Sequence, residues 1–283
     1  ILLLTLACIV SCGSNRRTSS FLSHIDTLYQ QNPAEAIIAI DSFMSCHNDM
    51  SQHNRMLLTL YRLRAQNSVG EPFASDSLAR KVVEYFDDNG SVEEQMSAYY
   101  VLGSVYRDLD NFPEALADYQ KAVALADTID GNKNNAFLNR VYGQMGDVLL
   151  SQLAFNEAGV AYSLAVRFAC KDKDTLGVLL SKEQIANVLY LQNRRDEACK
   201  LREWLHDEYL KNGEYKKAYD LYCAVLKSGE KSLAANALKK AYNVSSAHRA
   251  EVGAEPGTVL SDAQKYLADS PELLGEFWTR LGA

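Results

Sequence analysis

Apolar side chains along this chain recur at offsets of three and four residues, the spacing that keeps one stripe of a helix facing inward. The clearest stretch runs from Tyr99 to Ala126, YYVLGSVYRDLDNFPEALADYQKAVALA. Tyr99, Leu102, Gly103 and Tyr106 share one helical face, and Ala115, Tyr119 and Ala122 share another. Between them Asp110 and Asn111 supply a turn, and Pro113 suits the first turn of the second helix. Gly103 and Ala115 let two antiparallel helices approach closely. Ala122 does the same toward the next pair, while Tyr99, Tyr106 and Tyr119 fill the spaces between.

The pattern recurs. Tyr142, Met145, Gly146 and Leu149 take the first-helix positions of a second copy, followed by Phe155, Ala158, Tyr162 and Ala165. A weaker third copy holds Ile185, Ala186 and Leu189, then Ala198, with Leu205 where a small residue is usual. Upstream, Pro33, Ala36, Ile40 and Phe43 read as a second helix, as do Ala79, Val83 and Phe86. The second-helix alanines fall at 36, 79, 115, 158 and 198, so the spacings are 43, 36, 43 and 40 residues. A fourth pair is expected over Tyr215–Lys227 and Lys231–Val244, with Tyr222 at the glycine position. Ala247–Gly257 is polar and broken by Gly253, Pro256 and Gly257, and reads as a linker. Val259–Ala268 and Pro271–Leu281 read as two short helices that cap the stack, with Ser270 as N-cap.

This self-similarity resembles the tetratricopeptide repeat (TPR), a helix-turn-helix of about 34 residues. The longer spacings place extra residues in loops such as Asn67–Ala74 and Thr128–Asn134. The TPR-like pattern covers residues 20–245, with residues 246–283 as linker and capping helices. The resemblance implies an all-α fold, a right-handed α-solenoid of TPR-like antiparallel helix pairs whose first helices line a concave face. The matching positions are Ser97, Tyr100, Ser104 and Arg107, then Arg140, Gly143, Asp147 and Leu150, then Leu180, Glu183, Asn187 and Tyr190. From these, Tyr100, Ser104, Arg107, Arg140, Asp147, Glu183, Asn187 and Tyr190 are the expected partner-binding residues. Tyr100, Arg107, Arg140 and Tyr190 lead, because Tyr and Arg dominate interface energetics. Tyr100, Gly143 and Glu183 stand where some family members grip a C-terminal carboxylate with Lys and Asn, so that ligand is not expected.

The first ten residues, Ile1 to Val10, carry no charge and are too few to span a bilayer. With Ile9-Val10-Ser11-Cys12 they resemble a bacterial lipobox. That resemblance implies a signal peptide over residues 1–11, read as clipped at its start because Met is missing, and a lipid on the Cys12 thiol. Residues 12–19 would then form a lipidated tether. By resemblance to lipoprotein sorting rules in some Gram-negative bacteria, Gly13 and Ser14 in place of an Asp imply the outer membrane.

Composition narrows the chemistry. The net charge is -7, and the only short basic pair near the start is Arg16-Arg17, so no basic face offers itself to nucleic acid. Cys46, Cys170, Cys199 and Cys223 fit no zinc spacing and read as small buried hydrophobes. Cys46-His47 with His53 lacks a fourth ligand and reads as a polar loop. His206-Asp207-Glu208, beside Trp204, reads as a solvated face. Glu93-Glu94 and Asp87-Asp88 read as helix-end residues. No phosphate loop, dinucleotide fingerprint or nucleophile elbow is present. The expectation is a non-catalytic scaffold without cofactor or metal, binding a protein or extended peptide. The alternatives are the sensory half of a longer signalling protein and a glycan-binding uptake lipoprotein.

Overall fold

Helix boundaries follow the capping chemistry of the sequence. Ser91 closes a reciprocal box with Glu94: the Glu94 amide donates to Ser91 Oγ (3.3 Å) and the Ser91 amide to Glu94 Oε2 (2.8 Å). Asn32, Ser51 and Asp174 each accept from the amide three residues on. The computed structural model describes the backbone of residues 2–129, 134–227 and 231–282, and within these the side chains from residue 17 onward except 224–235. Cys12 and most of the expected anchor segment therefore lie outside the described side chains. Among the described residues there are helices and no strand.

The chain divides into two compact units, residues 1–153 and 154–283. The first holds α1 (Leu2–Gln31), α2 (Pro33–Cys46), α3 (Gln52–Val69), α4 (Ser77–Asn89), α5 (Val92–Asp108), α6 (Phe112–Ala126) and α7 (Asn135–Ser151). Each helix packs on the next, and the first helices α3, α5 and α7 also touch in succession. The backbone of α1 passes through residues 12–19, read above as a tether. The second unit holds α8 (Phe155–Asp172), α9 (Thr175–Leu191), α10 (Arg195–Lys211), α11 (Tyr215–Lys227), α12 (Lys231–Ala247), α13 (Arg249–Val252), α14 (Pro256–Tyr266) and α15 (Pro271–Leu281). The boundary falls in the turn of the second repeat copy, which thus contributes α7 to one unit and α8 to the other.

Close packing rests where the small residues predicted it. Ala36, Ala79, Ala115, Ala158 and Ala198 are all at most 2% exposed. A Cβ added to Gly103 would sit 2.7 Å from the Tyr119 ring and 3.1 Å from the Ala115 carbonyl. Tyr119 is fully buried, and its hydroxyl donates to Ser104 Oγ at 3.2 Å. The turns inside the pairs repeat one geometry. Asp110, Leu153 and Asn193 have φ of 56°, 58° and 61°, and each passes directly into an N-cap residue with φ between -91° and -81° and ψ between 58° and 67° that opens the second helix. Leu153 holds this left-handed conformation while 71% exposed, so burial of its side chain offsets little of the strain.

At the C-terminal end α14 and α15 pack on α12, and Val252, Val259, Ala263, Leu267 and Phe277 join Tyr219, Tyr222 and Leu238 in one core. The expected linker is corrected here: it contains α13, anchored by Val252 at 1% exposure, and α14 begins at Pro256. Ser270 precedes α15 without a side-chain cap bond; its carbonyl accepts from the Leu274 amide instead. The cysteine reading is half corrected. Cys199 is buried and Cys223 half-buried, but Cys46 and Cys170 are exposed.

Three substitutions separate these contributions by chemical denaturation. Gly103→Ala should destabilise by roughly 1–3 kcal/mol through overpacking against Tyr119. Gly143→Ala has open space around it and should instead stabilise by about 0.5–1 kcal/mol through helix propensity. Leu153→Gly should stabilise by about 1 kcal/mol by relieving its left-handed strain.

Candidate functional site

The first helices of the first unit carry a connected polar network centred on Arg107. Its guanidinium donates from Nη2 to Asn67 Oδ1 on α3 (3.2 Å) and from Nη1 to Gln144 Oε1 on α7. Nε and Nη2 also hold Asp108 Oδ1 at 2.9 and 2.7 Å, and Asp108 Oδ2 accepts from the Phe73 amide at 3.2 Å. Asn67 Nδ2 reaches the Tyr100 hydroxyl at 3.4 Å, and Gln144 Nε2 reaches Asp147 at 3.4 Å. One arginine thus ties three successive first helices together and fixes two side-chain amides. Burial pushes the Tyr100 phenol up, while Arg140, Asn67 and Arg107 oppose the shift. The Tyr100 ring meets Phe137 edge-on at 5.6 Å. Farther along this unit, Arg64 lies over the rings of Tyr29 (4.7 Å) and Tyr61 (5.2 Å).

Of the residues expected to bind a partner, Tyr100, Arg107, Arg140 and Asp147 lie on this network or its edge, and Arg140 and Asp147 are exposed. Ser104 is a correction. It is 0% exposed, because it accepts from Tyr119 and donates to the Tyr100 carbonyl at 3.0 Å, so it braces the helix pair and meets no partner. Asn67, expected to open a loop, lies instead in the last turn of α3, and neither it nor Gln144 was foreseen as a site residue. The one available signal was Gln144 one helical turn beyond Arg140.

In the second unit Glu183, Asn187 and Tyr190 are half-buried and engaged by α10. Glu183 accepts from the Tyr209 hydroxyl at 3.0 Å, and Asn187 from Arg202 Nη2 at 3.2 Å. The Tyr190 ring lies 5.3 Å from the Arg202 guanidinium and 5.7 Å from that of Arg195. These three frame the helix pair as much as they face outward. His206 is a second correction. It is 2% exposed, with Nδ1 at 2.8 Å from Asp207 and its ring 4.2 Å from that of Tyr222. Of that run, His206 is turned inward, while Asp207 is exposed and Glu208 half-exposed. Burial lowers the His206 pKa below 6.5, with Lys240 adding to the shift and Asp207 opposing it.

Two clefts lie between successive second helices. One, of about 320 Å³ between α4 and α6, is lined by Tyr99, Tyr106, Asp87, Asp118 and Lys121 among others. Asp118 is buried and pairs with Lys121 at 3.0 Å; burial raises its carboxyl pKa. Tyr99 donates to Asp87 at 2.9 Å, and burial followed by that bond pushes its phenol up to about 12. The other cleft, of about 680 Å³ between α8 and α10, is lined by Val160, Leu164, Ile185, Val188 and Leu189. The Cys46-His47-His53 group does not converge. His47 Nδ1 donates to the Phe43 carbonyl (2.9 Å), and His53 pairs with Glu94 at 3.2 Å. Among the described residues no cluster of His, Cys, Asp and Glu could hold a metal, and no helix is long and apolar enough to cross a membrane.

Residues 97–129 match the tetratricopeptide repeat. No curated protein matches the chain in sequence. Among solved structures, the chain is similar to the apo form of RapI at 10% identity, covering 94% of this chain and 96% of that one with a TM-score of 0.60. It is similar to a Rap protein complexed with Competence and Sporulation Factor at 12% identity, covering 93% and 80%, with a TM-score of 0.53. It is also similar to a signal transduction ATPase with numerous domains bearing a tetratricopeptide repeat sensor, from Pyrococcus horikoshii. That match has 14% identity and a TM-score of 0.60, and covers 90% of this chain and 43% of the other. At these identities the likeness is one of fold: all-α, an α-solenoid of TPR-like antiparallel helix pairs.

The buried imidazole sets a pH response. The folded His206 pKa lies below its unfolded value, so the unfolded chain takes up the proton first and stability falls as pH drops below about 6.5. Urea midpoints followed from pH 7.5 to 5 should fall for the wild type more steeply than for His206→Gln. Parallel curves would remove His206 as the source.

Proposed function

We propose that this chain is a non-catalytic scaffold that binds a protein or extended peptide on the first-helix face of its first unit. The observation that carries this reading is the Arg107 network, which holds the Asn67 and Gln144 amides in place across α3, α5 and α7. An extended backbone offers alternating donors and acceptors, and a fixed carboxamide can serve either. Tyr100 and Arg140 flank those amides with the side-chain types that dominate interface energies. Holding such groups before binding lowers the ordering cost of association. The Rap protein of similar fold is complexed with Competence and Sporulation Factor, which supports a binding role for this architecture.

The finer reading adds an anchor. Cys12, behind its apolar leader, takes a lipid and retains the scaffold at the outer membrane of a Gram-negative envelope. This part rests on the sequence of residues 1–14. Two acyl chains suffice for stable retention.

Crosslinking in the native envelope should recover a defined partner. The pair Arg107→Glu and Arg140→Glu should cut that recovery by at least tenfold, corresponding to a loss of about 2 kcal/mol at a hot spot, with helical content unchanged. Unaltered recovery would sink the binding face. Independently, Cys12→Ala should move the folded protein from the membrane to the soluble fraction, and unaltered retention would remove the lipid anchor.

A further inference from the structure

We propose that the second unit receives an acidic side chain of a partner polypeptide on the buried guanidinium of Arg202. This deepens the binding reading above by naming a ligand chemistry, and it does so at a different place.

The repeat itself exposes the anomaly. Four residues after the close-packing alanine, the first two copies carry Tyr119 and Tyr162, whereas the third carries Arg202. Tyr119 is fully buried and donates across the pair to Ser104. Arg202 donates across its own pair to Asn187, which occupies the same first-helix position as Ser104. The cross-helix bond is thus retained, but a neutral phenol has become a cation. Arg202 is only 7% exposed, and Nη1 is buried without a hydrogen-bond partner. Its described contacts are an amide and the Tyr190 ring, 5.3 Å away.

The neighbouring carboxylates are committed elsewhere. Glu183 accepts from Tyr209, Glu203 from Asn236, and Asp207 from His206 and Lys240. A cation buried without a carboxylate is among the most costly arrangements in a fold. It persists where something else supplies the charge. One turn along α10, His206 Nε2 is also buried and unpartnered, and so is the hydroxyl of Tyr222, whose ring lies 4.2 Å from the imidazole. Three unpartnered polar atoms on adjoining side chains of α10 and α11 do not arise from apolar packing. A carboxylate satisfies the guanidinium best, by charge and by its forked geometry. Asn187 and Tyr190, both half-exposed, form the rim that it would pass.

The test titrates the full chain with a fluorescent peptide of alternating Glu and Ala, amidated at its C-terminus, and with an all-Ala peptide bearing a free C-terminus. Saturable binding is expected for the first. The second distinguishes a terminal carboxylate as the source, and binding of that peptide alone would overturn the side-chain assignment. Arg202→Tyr installs the residue of the other two copies, so it should fold, unfold at higher urea than the wild type, and weaken the Glu peptide at least tenfold. Arg202→Gln keeps a donor for Asn187 and should weaken the peptide likewise, which covers a failure of the first variant to fold. No binding of the Glu peptide, or equal binding by these variants, would overturn the proposal. Arg107→Glu should leave the Arg202-dependent difference intact, so failure of the first-unit face and failure of this site are read separately.

Discussion

Everything in this architecture depends on how near two antiparallel helices can come. At Gly103 the backbone of α5 lies against the ring of Tyr119 and the carbonyl of Ala115, with no room for a methyl group. Small residues at the crossing give the approach, and a buried tyrosine fills what the missing side chains leave. The Tyr119 hydroxyl cannot be buried unpaired without cost. It therefore needs a partner across the pair, which Ser104 provides. The same geometric demand explains why Ser104 is spent on structure and why its third-copy counterpart, Asn187, is engaged by Arg202.

Function follows from what is left over once those demands are met. In the first unit the outward side chains of α3, α5 and α7 bond to one another through Arg107, so their positions are set before any ligand arrives. The charge of Arg107 is balanced by Asp108, which in turn is held by the Phe73 amide. This makes the face firm without making it strongly charged. In the second unit the balance is different, because Arg202 replaces a neutral residue at a packed position and carries its charge inside. The two units present the same helix plan with different electrostatics.

Much of the plan was legible in the sequence. The alanines at 36, 79, 115, 158 and 198 predicted the tight crossings, and each is buried. The fourth pair was placed correctly, even with Tyr222 at the glycine position. What the pattern did not reveal were interactions between residues far apart in the chain. Asn67 lies 40 residues from Arg107 and Gln144 lies 37 away, and neither belongs to the repeat signature. His206 misled because charged neighbours suggest water, whereas helical rotation of about 100° per residue turns one member of such a run inward while its neighbour stays exposed. Ser104 misled for the opposite reason: a position that is outward in the general pattern is closed here by the tyrosine beneath it. The stretch 247–257 hid α13 because its Gly and Pro residues flank a single helical turn that is held by burial of Val252, the Arg249–Glu255 pair and the stacking of His248 on Tyr215.

The turns within the pairs carry one more implication. After α5 the amide of Asn111 bonds to the Tyr106 carbonyl, and after α9 the amide of Arg194 bonds to the Leu189 carbonyl, at 2.8 and 2.9 Å. These main-chain links join residues no more than five positions apart. Corners whose backbone bonds are this local ask little of the remainder of the molecule. A lineage can therefore duplicate or delete whole hairpins, and the only surfaces obliged to adapt are the two that meet at the new seam.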